Sequence, residues 1–417
     1  MNKQEEKKSE LVAILPDDTD CSFTQLKKKL QQSRYFANSI IENDIDNEDV
    51  KFAYKIIIDN ENFKQVYKIE YHARKYPTNY HYVPHDITKA EVKNAKNSKR
   101  YLLIKTDFQR DPLVDFFNQI KLLVTIVPDV ILIKDLSAIQ LLSGDWARDV
   151  FENDIPPSPQ RMFSIHGVQQ DDEVWLHTHG LERCGLKDVE ILGVPKEGYE
   201  RVGDLLNTIV QMIIDSEPPV EGEPITVANN IKIVFLKWKK AIKHLQNIKL
   251  GGKEDREENH SRDNLVIMLP DTKTMLGWKY KSPKELSKKL DSNPVFYITV
   301  SETKRMEELA RRKFELFTQY FKKYKKNNDW KFSVKLGFLV DNNKDKNDKE
   351  HLWFKVVSIN EENIEGKLLN EPYDIKSLHK GKNYTYTINT LTDWLIVSPF
   401  GNYTPDNIYD LLRKQKL

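Results

Sequence analysis

Two hydrophobic periods alternate along this chain, and together they constrain its fold more than any other feature. Phe332, Val334, Leu336, Phe338 and Val340 occupy every second position, which is the pattern of a strand with one face buried and the other wet. Val202, Leu205, Leu206, Ile209, Val210 and Ile213 instead fall three and four apart, the stripe of an amphipathic helix. Short apolar runs at residues 11–15, 52–58, 66–71, 101–104, 130–133, 189–194, 225–227 and 231–235 predict further strands. Helical spacing covers residues 23–31, and Pro112 opens a helix running to about Val124. Asp59-Asn60-Glu61-Asn62 predicts a hairpin turn, and residues 93–99 form a polar stretch. Strands mixed irregularly with helices and hairpins predict an α+β protein, not a regular doubly wound sheet.

At 417 residues the chain is too long for one ordinary core. The predicted division is an N-terminal mixed-sheet α+β region at 1–248, with an internal split near 140–160, then a glycine-led charged linker at 249–263. A strand–turn–helix connector follows at 264–328. It contains a predicted amphipathic helix over 302–326, carrying Met306, Leu309, Ala310, Phe314, Phe317 and Phe321 on one side. Residues 329–417 predict a small strand-rich, barrel-like domain, with strands near 352–357, 364–368, 384–388 and 394–397 and a polar loop at 341–349. Thr404-Pro405-Asp406 predicts the start of a terminal helix. Residues 265–271 and 285–290 echo residues 11–17 and 25–30, one strand–turn–helix pattern met twice.

Charge excludes some partners. Sixty-five Lys and Arg against 63 Asp and Glu leave +2, so there is no general electrostatic case for nucleic acid or an anionic membrane. The basic–aromatic runs at 237–240 and 322–326 read as solvated helix faces. No apolar run is long enough to cross a bilayer, and the charged N-terminus lacks a signal core. Cys21 and Cys184 are too few for a disulfide framework, so the expected location is the reducing cytoplasm. No phosphate loop, dinucleotide glycine motif or serine elbow is present.

One stretch concentrates reactive side chains: Trp175-Leu176-His177-Thr178-His179-Gly180, with Cys184 just after and His166 just before. Residues 162–168 and 173–180 predict a hairpin about Gln169-Gln170-Asp171-Asp172. Symmetric pairing sets His166 opposite Trp175, Ser164 opposite His177 and Met162 opposite His179. His166, His177, His179, Ser164 and Trp175 then share one face; Phe163, Ile165, Val174, Leu176 and Thr178 share the other. Three imidazoles on one face are candidate zinc ligands, with Cys184 as a further ligand and Asp188 or Glu190 in support. The plainer alternative is a packed tryptophan beside hydrogen-bonded histidines. Cys184 near Arg183 is a candidate nucleophile, or small core filler.

The strings Glu350-His351-Leu352-Trp353-Phe354, Ile364-Glu365-Gly366-Lys367-Leu368-Leu369-Asn370-Glu371-Pro372, Gly381 and Thr392-Asp393-Trp394-Leu395 resemble the small bacterial module called domain of unknown function 2314, over about residues 330–417. Residues 175–186 resemble the region preceding that module in a longer bacterial family, also of unknown function. The resemblance implies a bacterial cytoplasmic protein and carries over no catalytic residues. Trp353, Asn370, Asp393 and Trp394 are the binding candidates it marks. The favoured reading is binding to a protein partner, with defence or toxin immunity as the context suggested by analogy; catalysis is disfavoured. The competing reading is a zinc-dependent hydrolase centred on His166, His177 and His179. Oligomeric state is left open.

Overall fold

The computed structural model describes residues 7–43, 50–60, 63–77, 82–216, 218–228, 231–245, 248–256, 263–275, 277–290, 299–341 and 349–415. The turn predicted at 59–62, the linker at 249–263 and the polar loop at 341–349 each lie partly outside these residues. The protein is α+β, and its contacts divide it into two units. One comprises Met1–Arg148 with Pro159–Thr299, the other Asp149–Ser158 with Val300–Leu417. The boundary therefore falls at 299/300, inside the stretch predicted to be a connector.

The first unit holds two sheets. The eight-stranded sheet runs in the order Ile40–Asn43, Phe52–Asn60, Phe63–His72, Tyr101–Asp107, Lys8–Ile14, Leu132–Asp135, Gln140–Ser143 and Val83–His85. Only the last pair is parallel. Lys8–Ile14 lies between two neighbours, and residues 11–14 are buried without alternation, because this central strand is covered on both faces. The helix Pro112–Ile126 starts where Asp111 accepts hydrogen bonds from the Leu113 and Val114 amides, with proline in the first position. Lys89–Asn97, overlapping the stretch read as polar, is a helix. Thr88 and Glu91 close a capping box at its start, and none of its residues is buried.

In the second sheet the order is Ile225–Ala228, Ile231–Lys237, Leu265–Thr274, Val189–Pro195, Glu173–His179 and Ser164–Gln170, with Gly277–Lys281 also paired to Leu265–Thr274. Leu265–Thr274 runs parallel to Val189–Pro195, so residues predicted as part of a connector are a central strand here. Its Pro270 and Asp271 continue a strand, whereas Pro16 and Asp17 follow the end of one, so the two echoed segments differ in structure. The helix Tyr199–Ile214 buries Val202, Leu205, Leu206, Ile209, Val210 and Ile213, each worth roughly 1.5–3 kcal/mol of gross burial.

The second unit is a six-stranded antiparallel sheet, ordered Asn383–Thr387, Asn363–Leu368, Lys349–Ile359, Lys331–Leu339, Leu391–Ser398 and Gly401–Tyr403. It is open, not barrel-like: the first and last strands do not pair, so the sheet keeps two edges. The helix predicted over 302–326 is two helices, Val300–Arg312 and Phe314–Tyr324. The chain leaves helical geometry at Lys313 (φ −101°, ψ 8°), whose buried ammonium reaches Asp149 Oδ2 at 2.6 Å and the Pro405 carbonyl at 2.8 Å. Phe314, Phe317 and Phe321 pack with Phe332, Phe354 and Trp394 as the core. The terminal helix is Ile408–Lys414, later than predicted, because the Asn407 side chain accepts from the Thr404 amide and closes a turn first.

Candidate metal centre

The histidine hairpin is built on a two-residue turn. Gln170 pairs with Glu173, leaving Asp171, at φ 52°, and Asp172 as the loop. Gln169 and Gln170 thus belong to the strand, and the register is two residues from the predicted one. His177 faces His166, His179 faces Ser164, and Trp175 faces Val168. A two-residue slip preserves the strand's face alternation, so the three histidines still share a side.

Placed directly across from one another, these residues converge. Ring centroids are 5.8 Å apart for His166 and His177, 4.7 Å for His166 and His179, and 5.0 Å for His177 and His179. Each offers a ring nitrogen, and the three lie within 4.8 Å of one another. Zinc bound tetrahedrally at about 2.0–2.1 Å sets its nitrogens roughly 3.4 Å apart, so modest rotations of the rings close the set. His177 is buried, and His166 and His179 are half-buried.

The supporting side chains separate by face. Glu190 pairs with His177 across the neighbouring strand and so stands on the histidine side. Its Oε2 accepts from the Trp175 indole at 3.0 Å, its Oε1 from Arg256 at 2.6 Å, and the Trp175 ring packs 4.6 Å from that of His177. Burial pushes the Glu190 carboxyl up, opposed by Arg256 and the indole. Asp188 is committed elsewhere: it accepts from Thr178 Oγ1 at 2.9 Å and the Leu181 amide at 3.3 Å, and Thr178 alternates to the face away from the histidines. Burial raises its pKa to about 7.

Cys184 lies outside the cluster, in the short turn Leu181–Cys184. That turn begins after Gly180, where φ is 110° and a Cβ would stand 2.7 Å from the Met162 carbonyl. Burial pushes the Cys184 thiol up to about 12, against a smaller opposing effect from Arg183. The arginine is turned to other work. Its guanidinium bonds both Asp135 oxygens, at 2.8 and 3.2 Å, and the Met162 carbonyl, and lies 4.7 Å over Phe116. Asp135 belongs to the first sheet, so this fully buried pair ties the two sheets together.

Sequence reasoning missed Arg183, Asp135 and Arg256. Within Leu181-Glu182-Arg183-Cys184 the sequence shows a charge beside Cys184 but not its partner in the other sheet, and Arg256 lies in the charged run read as linker. In the second unit, the Asn370 side chain accepts from the Trp353 amide at 3.0 Å. Trp394 is fully buried and donates to the Ala310 carbonyl at 3.0 Å. Asp393 accepts from the Trp394 amide at 2.8 Å, and burial raises its pKa to about 7. Trp353 lies on the opposite sheet face, half-buried, with Lys335 Nζ 5.6 Å from its ring. Trp394 is thus enclosed in the core, while Asn370 and Trp353 are both half-buried.

Three imidazoles gathered on one face of a mixed sheet, with a separate antiparallel unit following, define a multidomain α+β protein with a candidate metal centre. The chain belongs to the family described as protein of unknown function (DUF4026). That family's N-terminal region matches residues 9–157 and its C-terminal region residues 165–268. The domain described as uncharacterized protein conserved in bacteria (DUF2314) matches residues 301–416, taking in the two helices as well as the strands that suggested it. No curated protein and no solved structure matches the chain. Among the described residues no helix is long and apolar enough to cross a membrane.

Proposed function

We propose that this protein binds a divalent transition metal, zinc in the first instance, through His166, His177 and His179. One observation carries the reading: ring nitrogens of the three residues lie within 4.8 Å of one another. An all-imidazole set suits zinc, copper or nickel and is a poor set for magnesium or calcium, which prefer oxygen. Strand pairing fixes two of the ligands on one strand and the third directly opposite, so most of the ordering entropy is met by the fold itself. The test is equilibrium dialysis of chelator-free protein against zinc, with metal content measured by mass spectrometry. One equivalent is expected in the wild type and none in His177→Ala. Failure of the wild type to retain zinc, or full retention by His177→Ala, overturns the assignment.

A second reading, protein binding by the C-terminal unit, is favoured by the wet face of its sheet. Half-buried Trp353 stands there with Lys335 and Lys355, and Val357 and Leu369 are exposed nearby. A central tryptophan framed by polar side chains is the composition of an interface hot spot. A stoichiometric partner retained by wild-type protein and lost with Trp353→Ala supports this; a partner retained equally by both counts against it.

A further inference from the structure

We infer that Glu190 is the fourth ligand of the histidine centre and that Arg256 holds it in reserve, so that metal loading releases the segment around residues 251–256. The inference rests on the metal reading above and extends it from a binding site to a metal-responsive device.

Position comes first. Glu190 is the cross-strand partner of His177, and such partners carry their Cβ atoms roughly 4.5–5.5 Å apart on the same face. Asp188, the other nearby carboxylate, is bonded on the opposite face. Glu190 is fully buried, and each of its oxygens has a partner on the histidine side: Trp175 Nε1 and Arg256 Nη2. Trp175 in turn packs on the His177 ring, so the indole that Glu190 bonds stands against the histidines, while the carboxylate itself rests outside the three-histidine group.

Charge supplies the coupling. Three neutral imidazoles leave a bound dication uncompensated, and a buried dication beside a buried guanidinium is doubly unfavourable. The Glu190 oxygens lie outside the three-histidine group, so reaching the metal takes a swing of the whole carboxylate away from its present partners. When Glu190 turns to the metal, Arg256 gives up a 2.6 Å ion pair.

That pair also fastens a segment of chain. Arg256 lies 4.7 Å over Trp238 and 5.4 Å over Trp175, and donates to the Gly251 carbonyl, which also accepts from Trp238 Nε1 at 3.0 Å. The glycine-led run that resembles a linker in sequence is therefore strapped to the sheet, and Glu190 is the anionic anchor of the strap. Zinc would exchange that anchor for a ligand bond.

Zinc titration against a chromophoric chelator, with hydrogen exchange of residues 248–256 followed by mass spectrometry, tests the device. Zinc is expected to raise exchange in this segment at least tenfold in the wild type. Glu190→Gln is expected to bind zinc at least about tenfold more weakly, since even groups one step removed from a metal are worth about 10–100-fold, and to show no zinc-dependent change in exchange. Arg256→Met, which removes the competitor, is expected to bind zinc more tightly. Zinc bound by Glu190→Gln with wild-type affinity, or wild-type exchange unmoved at saturating zinc, overturns this inference while leaving the three-histidine site intact. Wild-type protein that takes up no zinc overturns both.

Discussion

Removing Arg183 should loosen both sheets of the first unit together, and the size of the effect follows from what the side chain leaves behind. The guanidinium and the Asp135 carboxylate are both wholly buried and meet through two hydrogen bonds. In Arg183→Met, Asp135 keeps the Ser137 and Ala138 amides, each at 3.2 Å, and Gln140 Nε2 at 2.8 Å. Those neutral donors moderate the loss but do not balance a buried charge. Breaking one side of a buried pair costs about 3–5 kcal/mol, and the Met162 carbonyl loses its charged donor as well. Asp135→Asn alone should cost a similar amount by stranding the guanidinium. The double variant removes both charges, so its cost should fall short of the sum by at least about 2 kcal/mol. A single unfolding free energy is ill-defined for a two-unit chain, so the assay is hydrogen exchange read segment by segment. Amides of Lys8–Ile14 and Glu173–His179, one strand from each sheet, should exchange roughly 150- to 5,000-fold faster in either single variant, and in parallel. A coupling below about 0.5 kcal/mol, or one sheet loosening without the other, would refute the claim that this pair joins them.

Asp393 predicts a pH dependence in the second unit. Burial raises its carboxyl to about 7 in the folded chain, against about 3.9 in an unfolded one, so the native state holds an extra proton between these values. Its stabilising contribution is complete below pH 4 and is lost as pH rises through 7, so strand Lys331–Leu339 should exchange faster at pH 8 than at pH 5 after correction for intrinsic rates. The loss should be on the order of 1–3 kcal/mol, and Asp393→Asn should abolish the slope; a slope retained in that variant assigns it to another group. The thiols of Cys184 and Cys21, pushed up to about 12 and about 11 by burial, should resist a disulfide reagent at pH 8 until the protein unfolds. Labelling of native Cys184 at the rate of a free thiol contradicts its placement.

What the sequence disclosed tracks the range of the interaction concerned. The stripe from Val202 to Ile213 became the buried face of one helix because its period is local and its residues leave little choice of side. The hairpin's faces were legible for the same reason: alternation survives any even slip, so the histidines stayed together although the register moved by two. The register itself was not legible, since Gln169 and Gln170 suit a turn or a strand equally and only positive φ at Asp171 marks the tight loop. Helix Lys89–Asn97 buries nothing, so it lacks a hydrophobic period and announces itself only through Thr88 and Glu91. The central place of Leu265–Thr274 depends on a parallel partner 76 residues earlier, Val189 against Leu265, and no local pattern encodes that choice.

The same distinction explains why residues 251–256 carry the composition of a linker while Arg256 is buried. Composition classes a run by what it would do alone, and Gly251-Gly252-Lys253-Glu254-Asp255-Arg256 alone would be solvated. In the fold, Arg256 is buried to 6% exposure because a carboxylate and two indoles were already waiting for it on the sheet. A charge held so deep by ion pairing is a poor choice for stability, since a well-packed apolar side chain often does as well or better. It is a good choice for a contact that must be surrendered. An apolar anchor at residue 256 would hold the segment whatever occupied the histidines; an arginine on Glu190 loses its anionic partner once that carboxylate turns to a stronger cation.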